Sequence, residues 1–174
     1  MKKKIILPIC YVLGFILIAF GTYAFLTSTA SKNNSFTIGG NTIEIIEDFI
    51  PPESIKAGIE FKKDIKVKNT GASNCYVRLK VVFSDSDMEK FCTFTDLNTS
   101  DWIYNSSDNY YYYKQPIKNN ELTTSLFTTV AISDTLEIYQ AKPFDIFVYA
   151  ESMQANPFEN YEEAWATFEQ QKTN

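Results

Sequence analysis

The sequence predicts an all-β domain, a two-sheet antiparallel sandwich with an N-terminal signal or transmembrane helix before it and a short C-terminal helix after it. Two observations favour this fold class. Apolar side chains recur at every second position in several segments, which puts them on one face of an extended strand. Polar turns separate these segments, and no helical pattern lies between them, which is typical of a sandwich and not of an α/β fold.

The N-terminus has the composition of an export or anchoring segment. Three lysines at positions 2 to 4 precede an apolar run from Ile5 to Phe25. About 20 helical residues span a bilayer, so the length of the run leaves both a cleaved signal and a retained anchor open. In either case the positive end is expected to stay in the cytoplasm.

Small residues after the apolar run favour cleavage, so we interpret the run as a signal peptide. The candidate cleavage sites lie between Ala24 and Phe25 and, as a second choice, between Ala30 and Ser31. The first site divides the chain into a signal peptide (1–24), an N-terminal segment of the mature protein (25–40) and the sandwich domain (41–174).

The exported part of the chain is acidic. Without the three leader lysines it holds 13 of the 16 basic residues and all 21 acidic ones, a net charge of about −8. Such a surface repels phosphates, so nucleic acid is not an expected partner. The same charge disfavours anionic lipid, and contact with the membrane is expected only through the N-terminal segment before cleavage.

Alternation predicts the strands. The segments Ile59–Lys68 and Cys75–Phe83 alternate on either side of a turn-rich stretch, and we predict that they form an antiparallel pair. Further strands are predicted at Phe36–Ile38, Thr42–Ile46, Leu122–Ile132 and Phe144–Ala150. In Leu122–Ile132 the inward positions are predicted to be Leu122, Thr124, Leu126, Thr128, Val130 and Ile132.

The region between these strands, Ser84–Asn120, is predicted to be a long excursion with one or two strands. In a strand, the run Tyr110–Tyr113 would divide its side chains between two faces. One C-terminal helix is predicted, with Asn160 as its cap and Glu163 three residues on. Its apolar stripe, predicted to pack on the sandwich, is Tyr161, Ala164, Trp165 and Phe168.

Little in the sequence indicates catalysis. The chain contains no histidine, so Ser-His and Cys-His nucleophilic sites and the usual zinc sites are not expected, nor is a cofactor. Glu151 is interpreted as a surface or strand-end residue. Cys75 and Cys92 are the two cysteines outside the leader, and an exported chain could either pair them in a disulfide or keep both as buried thiols.

Several short motifs, taken in order, resemble one family. They are Gly21–Ala24 with Ser35–Gly39, Lys63–Gly71 with Cys75–Arg78, Tyr110–Lys114, and Val148–Ala155 with Glu162–Trp165. Together they resemble the TasA and camelysin family of Gram-positive biofilm matrix proteins, whose signals are removed by a SipW-type signal peptidase. The likeness runs over nearly the whole chain.

The resemblance implies a jelly-roll-like sandwich that is secreted to the cell surface or extracellular matrix. It implies a structural, non-enzymatic subunit that forms homo-oligomeric fibres, with other matrix proteins as further partners. In such fibres the freed N-terminal segment of one subunit adds as a strand to its neighbour, and the implied contacts are Phe25, Leu26, Phe36 and Ile38. Two alternatives stay open: a membrane-tethered binding module and a camelysin-type metallopeptidase.

Overall fold

The computed structural model describes residues 42–173, with side chains as far as Gln170. Eight strands and two helices follow one another in this part of the chain. The strands are β1 (Ile43–Phe49), β2 (Glu60–Asn69), β3 (Cys75–Phe83), β4 (Cys92–Phe94), β5 (Trp102–Asn105), β6 (Tyr110–Tyr113), β7 (Thr129–Ile132) and β8 (Ile146–Gln154). The helices are α1 (Ser86–Glu89), between β3 and β4, and α2 (Tyr161–Thr173), after β8.

The strands form two antiparallel four-stranded sheets. Their orders are β1-β2-β7-β4 and β5-β6-β3-β8. The longest pairing joins β3 to β8 over nine residues, from Cys75 opposite Gln154 to Phe83 opposite Ile146. The predicted all-β, two-sheet antiparallel class is therefore confirmed.

The core lies between the two sheets because each strand turns alternate side chains inward. The first sheet contributes Ile65, Val67 and Val130, and the second contributes Val77 and Leu79, all fully buried. Burial of such side chains is the main force that holds the two layers together, at about 25 cal/mol per Å² of apolar surface.

The predicted pairing of Ile59–Lys68 with Cys75–Phe83 is wrong, although both segments are strands. β2 lies between β1 and β7, and β3 lies between β6 and β8 in the other sheet. The side chain of Asn69, which is fully buried, explains the corner at which the chain leaves β2 and crosses to β3. Its Nδ2 donates to the carbonyls of Ser73 (2.8 Å) and Ile117 (3.0 Å), and its Oδ1 accepts from Gly71 N (2.9 Å). These bonds direct the chain across to the second sheet instead of into a hairpin.

The predicted alternation from Leu122 is also wrong in its first half. Leu122 is 46% exposed, whereas Thr123 is buried and exchanges hydrogen bonds with Val67 (Val67 N to Oγ1 3.0 Å, Thr123 N to Val67 O 2.9 Å). Leu126 and Phe127 are adjacent in sequence and both fully buried, so the chain is irregular here. Within Leu122–Ile132, regular strand geometry is confined to β7.

The excursion between Ser84 and Asn120 contains three strands, β4 to β6, where one or two were predicted. The remaining predicted strands are found with bounds shifted towards the C-terminus: Thr42–Ile46 corresponds to β1 (Ile43–Phe49), and Phe144–Ala150 to β8 (Ile146–Gln154). The predicted strand Phe36–Ile38 and the N-terminal helix lie outside the described residues.

The C-terminal helix α2 is confirmed, together with its cap. Asn160 Oδ1 accepts from Glu163 N at 2.9 Å, as an N-cap side chain does. Glu163 Oε2 reaches back to Glu159 N (3.0 Å), one residue before the cap. The predicted stripe is the buried face of α2, since Ala164, Trp165 and Phe168 pack against the outer face of the second sheet.

Candidate binding site

The most heavily buried charge in the described chain belongs to Arg78, in the middle of β3. Cys75, Val77 and Leu79 alternate inward, so Tyr76, Arg78 and Lys80 lie on the outer face of the sheet. An arginine on an outer sheet face is ordinarily solvated. Arg78 is only 1% exposed because α2 lies across it.

Strand register places two of its partners. On one side Arg78 is opposite Glu151 of β8, and on the other it is opposite Tyr112 of β6. Its Nε donates to Glu151 Oε2 (2.7 Å), and its Nη1 donates to the Tyr112 hydroxyl (3.0 Å). From α2, Glu169 Oε1 accepts from Nη2 at 2.7 Å. The Asp108 carboxylate lies 3.8 Å from Nη1 and accepts the hydroxyl proton of Tyr112.

Aromatic rings surround the same guanidinium. Its Cζ lies 4.1 Å from the ring centroid of Tyr110 and 4.3 Å from that of Trp165. Phe168 and Tyr112 follow at 5.3 and 5.7 Å. Each cation–π contact in a desolvated setting is worth about 1–2 kcal/mol, and a planar guanidinium stacks on rings in a way that an ammonium does not. We call Arg78 with Tyr110, Tyr112, Glu151, Trp165, Phe168 and Glu169 the Arg78 cluster.

The electrostatics of the cluster favour a charged arginine and a neutral tyrosine. Burial lowers the pKa of Arg78, but its bonds to Glu169, Glu151 and Tyr112 outweigh burial, and the net pKa is raised. Burial raises the pKa of Tyr112 to about 12, with the bond to Asp108 as a further cause. Arg78 therefore stays charged at neutral pH, and the hydrogen bonds within the cluster satisfy it without an external ligand.

The tyrosine run divides as predicted. Tyr110 and Tyr112 lie on the outer face against α2, and Tyr111 and Tyr113 pack against the core between the sheets. Two tyrosines therefore share the surface that α2 covers.

A groove of about 550 Å³ lies beside the Arg78 cluster, between the β5–β6 hairpin and α2. Its walls are Ile103 and Tyr112 on the hairpin side, whose side chains share the outer face of the sheet, and Tyr161 and Trp165 on the helix side. Its carboxylates are Asp108, Glu162 and Glu169, and no lysine or arginine belongs to the lining in the part of the chain that the structure describes. The groove is thus both aromatic and acidic.

One buried donor at this groove has no acceptor. The indole Nε1 of Trp165 lacks a hydrogen-bond partner among the described residues, while the Trp165 side chain itself is 3% exposed and lines the groove. An unsatisfied buried donor is unfavourable by about 1–3 kcal/mol.

The structure does not pair Cys75 with Cys92, and both are free thiols. Cys75 begins β3, and Phe83 at the other end of β3 stacks on Phe94, two residues after Cys92. Eight strand residues span about 26 Å, whereas a disulfide requires Cα atoms within about 7 Å. The disulfide alternative is incompatible with this fold. Burial raises the pKa of Cys75 to about 12 and, together with Glu89, that of Cys92 to about 11.

The remaining predicted site residues lie outside the described part of the chain. They are the cleavage-site residues Ala24, Phe25, Ala30 and Ser31 and the donor-strand residues Phe25, Leu26, Phe36 and Ile38. Within residues 42–173, no helix is long and apolar enough to cross a membrane.

The fold and the site define an antiparallel β-sandwich domain whose C-terminal helix is fixed to one outer face beside a groove. The chain matches the model of the camelysin metallo-endopeptidase family over residues 1–125 and belongs to that family. This confirms the TasA and camelysin resemblance. The curated proteins and the solved structures gave no match.

The family description implies a catalytic metal, but the donor set of this chain does not fit one. The sequence holds no histidine. Cys75 and Cys92 lie far apart, since Cys75 begins β3 and Cys92 begins β4, near the other end of β3. No group of three or more Asp, Glu or Cys residues in the described chain is arranged to hold a metal ion. Peptidase zinc sites use three protein ligands that leave a position open for water, and these side chains do not supply them.

Sequence reasoning missed the Arg78 cluster. It interpreted Glu151 as a surface or strand-end residue, but Glu151 is 8% exposed and paired with Arg78. A signal was present: an arginine and a glutamate stand near the middles of two long strands. Opposite charges at such positions indicate a cross-strand pair.

Proposed function

We propose that the chain is a secreted structural subunit of extracellular matrix fibres that assembles by N-terminal donor-strand exchange. Family membership is the observation that carries this proposal, because the TasA and camelysin resemblance covers the leader as well as the sandwich. The protein would act by assembly, without a catalytic step.

The sandwich is compatible with strand addition. β1 and β8 are the end strands of their sheet orders, and they lie against each other across the core. The proposed donor segment, Phe25–Ile38, directly precedes β1 in sequence. An end strand of a neighbouring subunit offers main-chain hydrogen bonds to such a segment, and alternate side chains can enter pockets.

The first test is the mature N-terminus. Intact mass spectrometry of the protein from the cell surface or medium is expected to give a chain that begins at Phe25. A chain that still begins at Met1 would favour the membrane-tethered module and contradict secretion.

The second test is assembly. A chain beginning at Phe25 is expected to form filaments in electron micrographs, and a chain beginning at Asn41 is not. Within the longer chain, Phe36→Asp with Ile38→Asp should prevent filaments, whereas Thr37→Asp, on the alternate face of an extended segment, should leave them intact. Equal assembly of all these proteins would exclude donor-strand exchange.

The family name makes a peptidase assay necessary. Because the donor set does not fit a zinc centre, the purified protein is expected to leave casein uncut with or without added Zn²⁺. Casein cleavage that a chelator stops and zinc restores would overturn the non-enzymatic proposal.

A further inference from the structure

The groove beside the Arg78 cluster offers chiefly hydrogen-bond acceptors. The carboxylates of Asp108, Glu162 and Glu169 line it, and its uncharged polar residues are Asn105, Ser106 and three tyrosines. Ammonium and guanidinium groups only donate hydrogen bonds, while a sugar hydroxyl both donates and accepts. The lining therefore favours a cation over a carbohydrate.

The charge of the region also favours a cation. Asp108, Glu151, Glu162 and Glu169 carry four negative charges at the groove and the cluster, and the nearby cations are Arg78 and Lys80, whose Nζ lies 3.3 Å from Asp108 O. Four negative and two positive charges give the region a net charge of −2. Aromatic walls strengthen the attraction because ring faces are electronegative.

The protein already holds one cation by the same combination of groups. The guanidinium of Arg78 lies between Tyr110 and Trp165, and carboxylates from β8 and α2 accept its N–H groups. Trp165 also lines the groove.

We propose that this groove binds a lysine or arginine side chain of a partner polypeptide, against the rings of Tyr161 and Trp165 and the carboxylate of Glu162. The partner is another protein with a basic segment, because the exported part of this chain is itself acidic. The proposal goes beyond fibre assembly and does not depend on it.

A capped tetralysine peptide is the probe, and the same peptide acetylated on every Nζ is its control. Isothermal titration of the exported protein at low salt is expected to show saturable binding of tetralysine and none of the acetylated peptide. The affinity should fall as salt rises through 0.15 M, because the contact is at the surface. Saturable binding of a neutral tetrasaccharide without binding of tetralysine would overturn the proposal.

Glu162→Gln removes a groove carboxylate that makes no bond to Arg78, and Glu60→Gln makes the same change at the exposed first residue of β2, in the other sheet. Glu162→Gln is expected to weaken tetralysine binding roughly two- to fivefold, the range of exposed ion pairs. Combining Glu162→Gln with Ala166→Lys, which puts a cation into the groove wall, should abolish tetralysine binding. Glu60→Gln should leave binding unchanged. Equal weakening by Glu60→Gln and Glu162→Gln would indicate general attraction to an acidic surface and refute the site.

Discussion

Replacement of Arg78 by methionine removes a buried guanidinium and keeps much of the side-chain volume. The change breaks the bonds to Glu151, Tyr112 and Glu169 at 2.7–3.0 Å and the ring contacts with Tyr110 and Trp165. It leaves Glu151 buried without its cation. We expect α2 to loosen and the whole domain to lose stability.

The size of the stability loss follows from the buried carboxylate that Arg78→Met leaves without its cation. Removing one partner of a buried ion pair destabilises a protein by about 3–5 kcal/mol, because the other charge stays desolvated. Arg78→Met should lie in that range in urea unfolding followed by circular dichroism. Arg78→Lys should be only partly better, since an ammonium can neither make both carboxylate bonds in one plane nor stack between two rings.

Two controls separate this effect from the loss of an ordinary surface charge. Lys80→Met changes a half-buried cation on the same face of β3, whose Nζ donates to the backbone carbonyl of Asp108, and should be within about 1 kcal/mol of the original. The double variant Arg78→Met/Glu151→Gln removes both charges and should be more stable than Arg78→Met alone. The reasoning is refuted if Arg78→Met and Lys80→Met are alike and the double variant gives no recovery.

Three further outcomes are expected. The folded pKa of Tyr112 is raised from 10.0 to about 12, so its contribution to the free energy of unfolding is complete below pH 10 and declines as pH rises to 12. The resulting alkaline loss of stability, roughly 3 kcal/mol, should shrink in Tyr112→Phe. An unchanged pH profile of the urea midpoints would contradict this. Gly58 has φ +71° and faces Asp134, so Gly58→Ala should lower stability by about 1–2 kcal/mol in thermal unfolding, and an unchanged melting temperature would contradict the strain. Cys75 and Cys92 should react with iodoacetamide at pH 8 only on unfolding, and failure to label under denaturing, non-reducing conditions would indicate a disulfide instead.

The strands and the helix could be predicted from sequence because both depend on local periodicity. β2 and β3 appear in the sequence as clean alternation, and α2 as a stripe behind a capping asparagine. Their partners could not be predicted in the same way. Alternation fixes which face of a strand is apolar but leaves its neighbours open, and the stretch after Asn69 is as suitable for a hairpin as for the corner it makes.

The candidate site was missed for a related reason. Arg78 lies 73 residues before Glu151 and 91 before Glu169, so no local pattern links them. The burial of Arg78 follows from α2 crossing the sheet, which is a tertiary event. Alternation correctly put Arg78 on the outer face, and the covering helix then changed an outer position into a buried one.

Four of the motifs on which the family resemblance rests meet at this one place. Cys75–Arg78 supplies the guanidinium, Tyr110–Lys114 two rings, Val148–Ala155 a carboxylate and Glu162–Trp165 the indole. Because the guanidinium is satisfied internally, the cluster itself holds α2 in place, and the groove exists only where α2 stands beside the β5–β6 hairpin. Stability and binding should therefore separate by variant: Glu162→Gln should lose peptide affinity and keep the unfolding midpoint, whereas Arg78→Met should lose both.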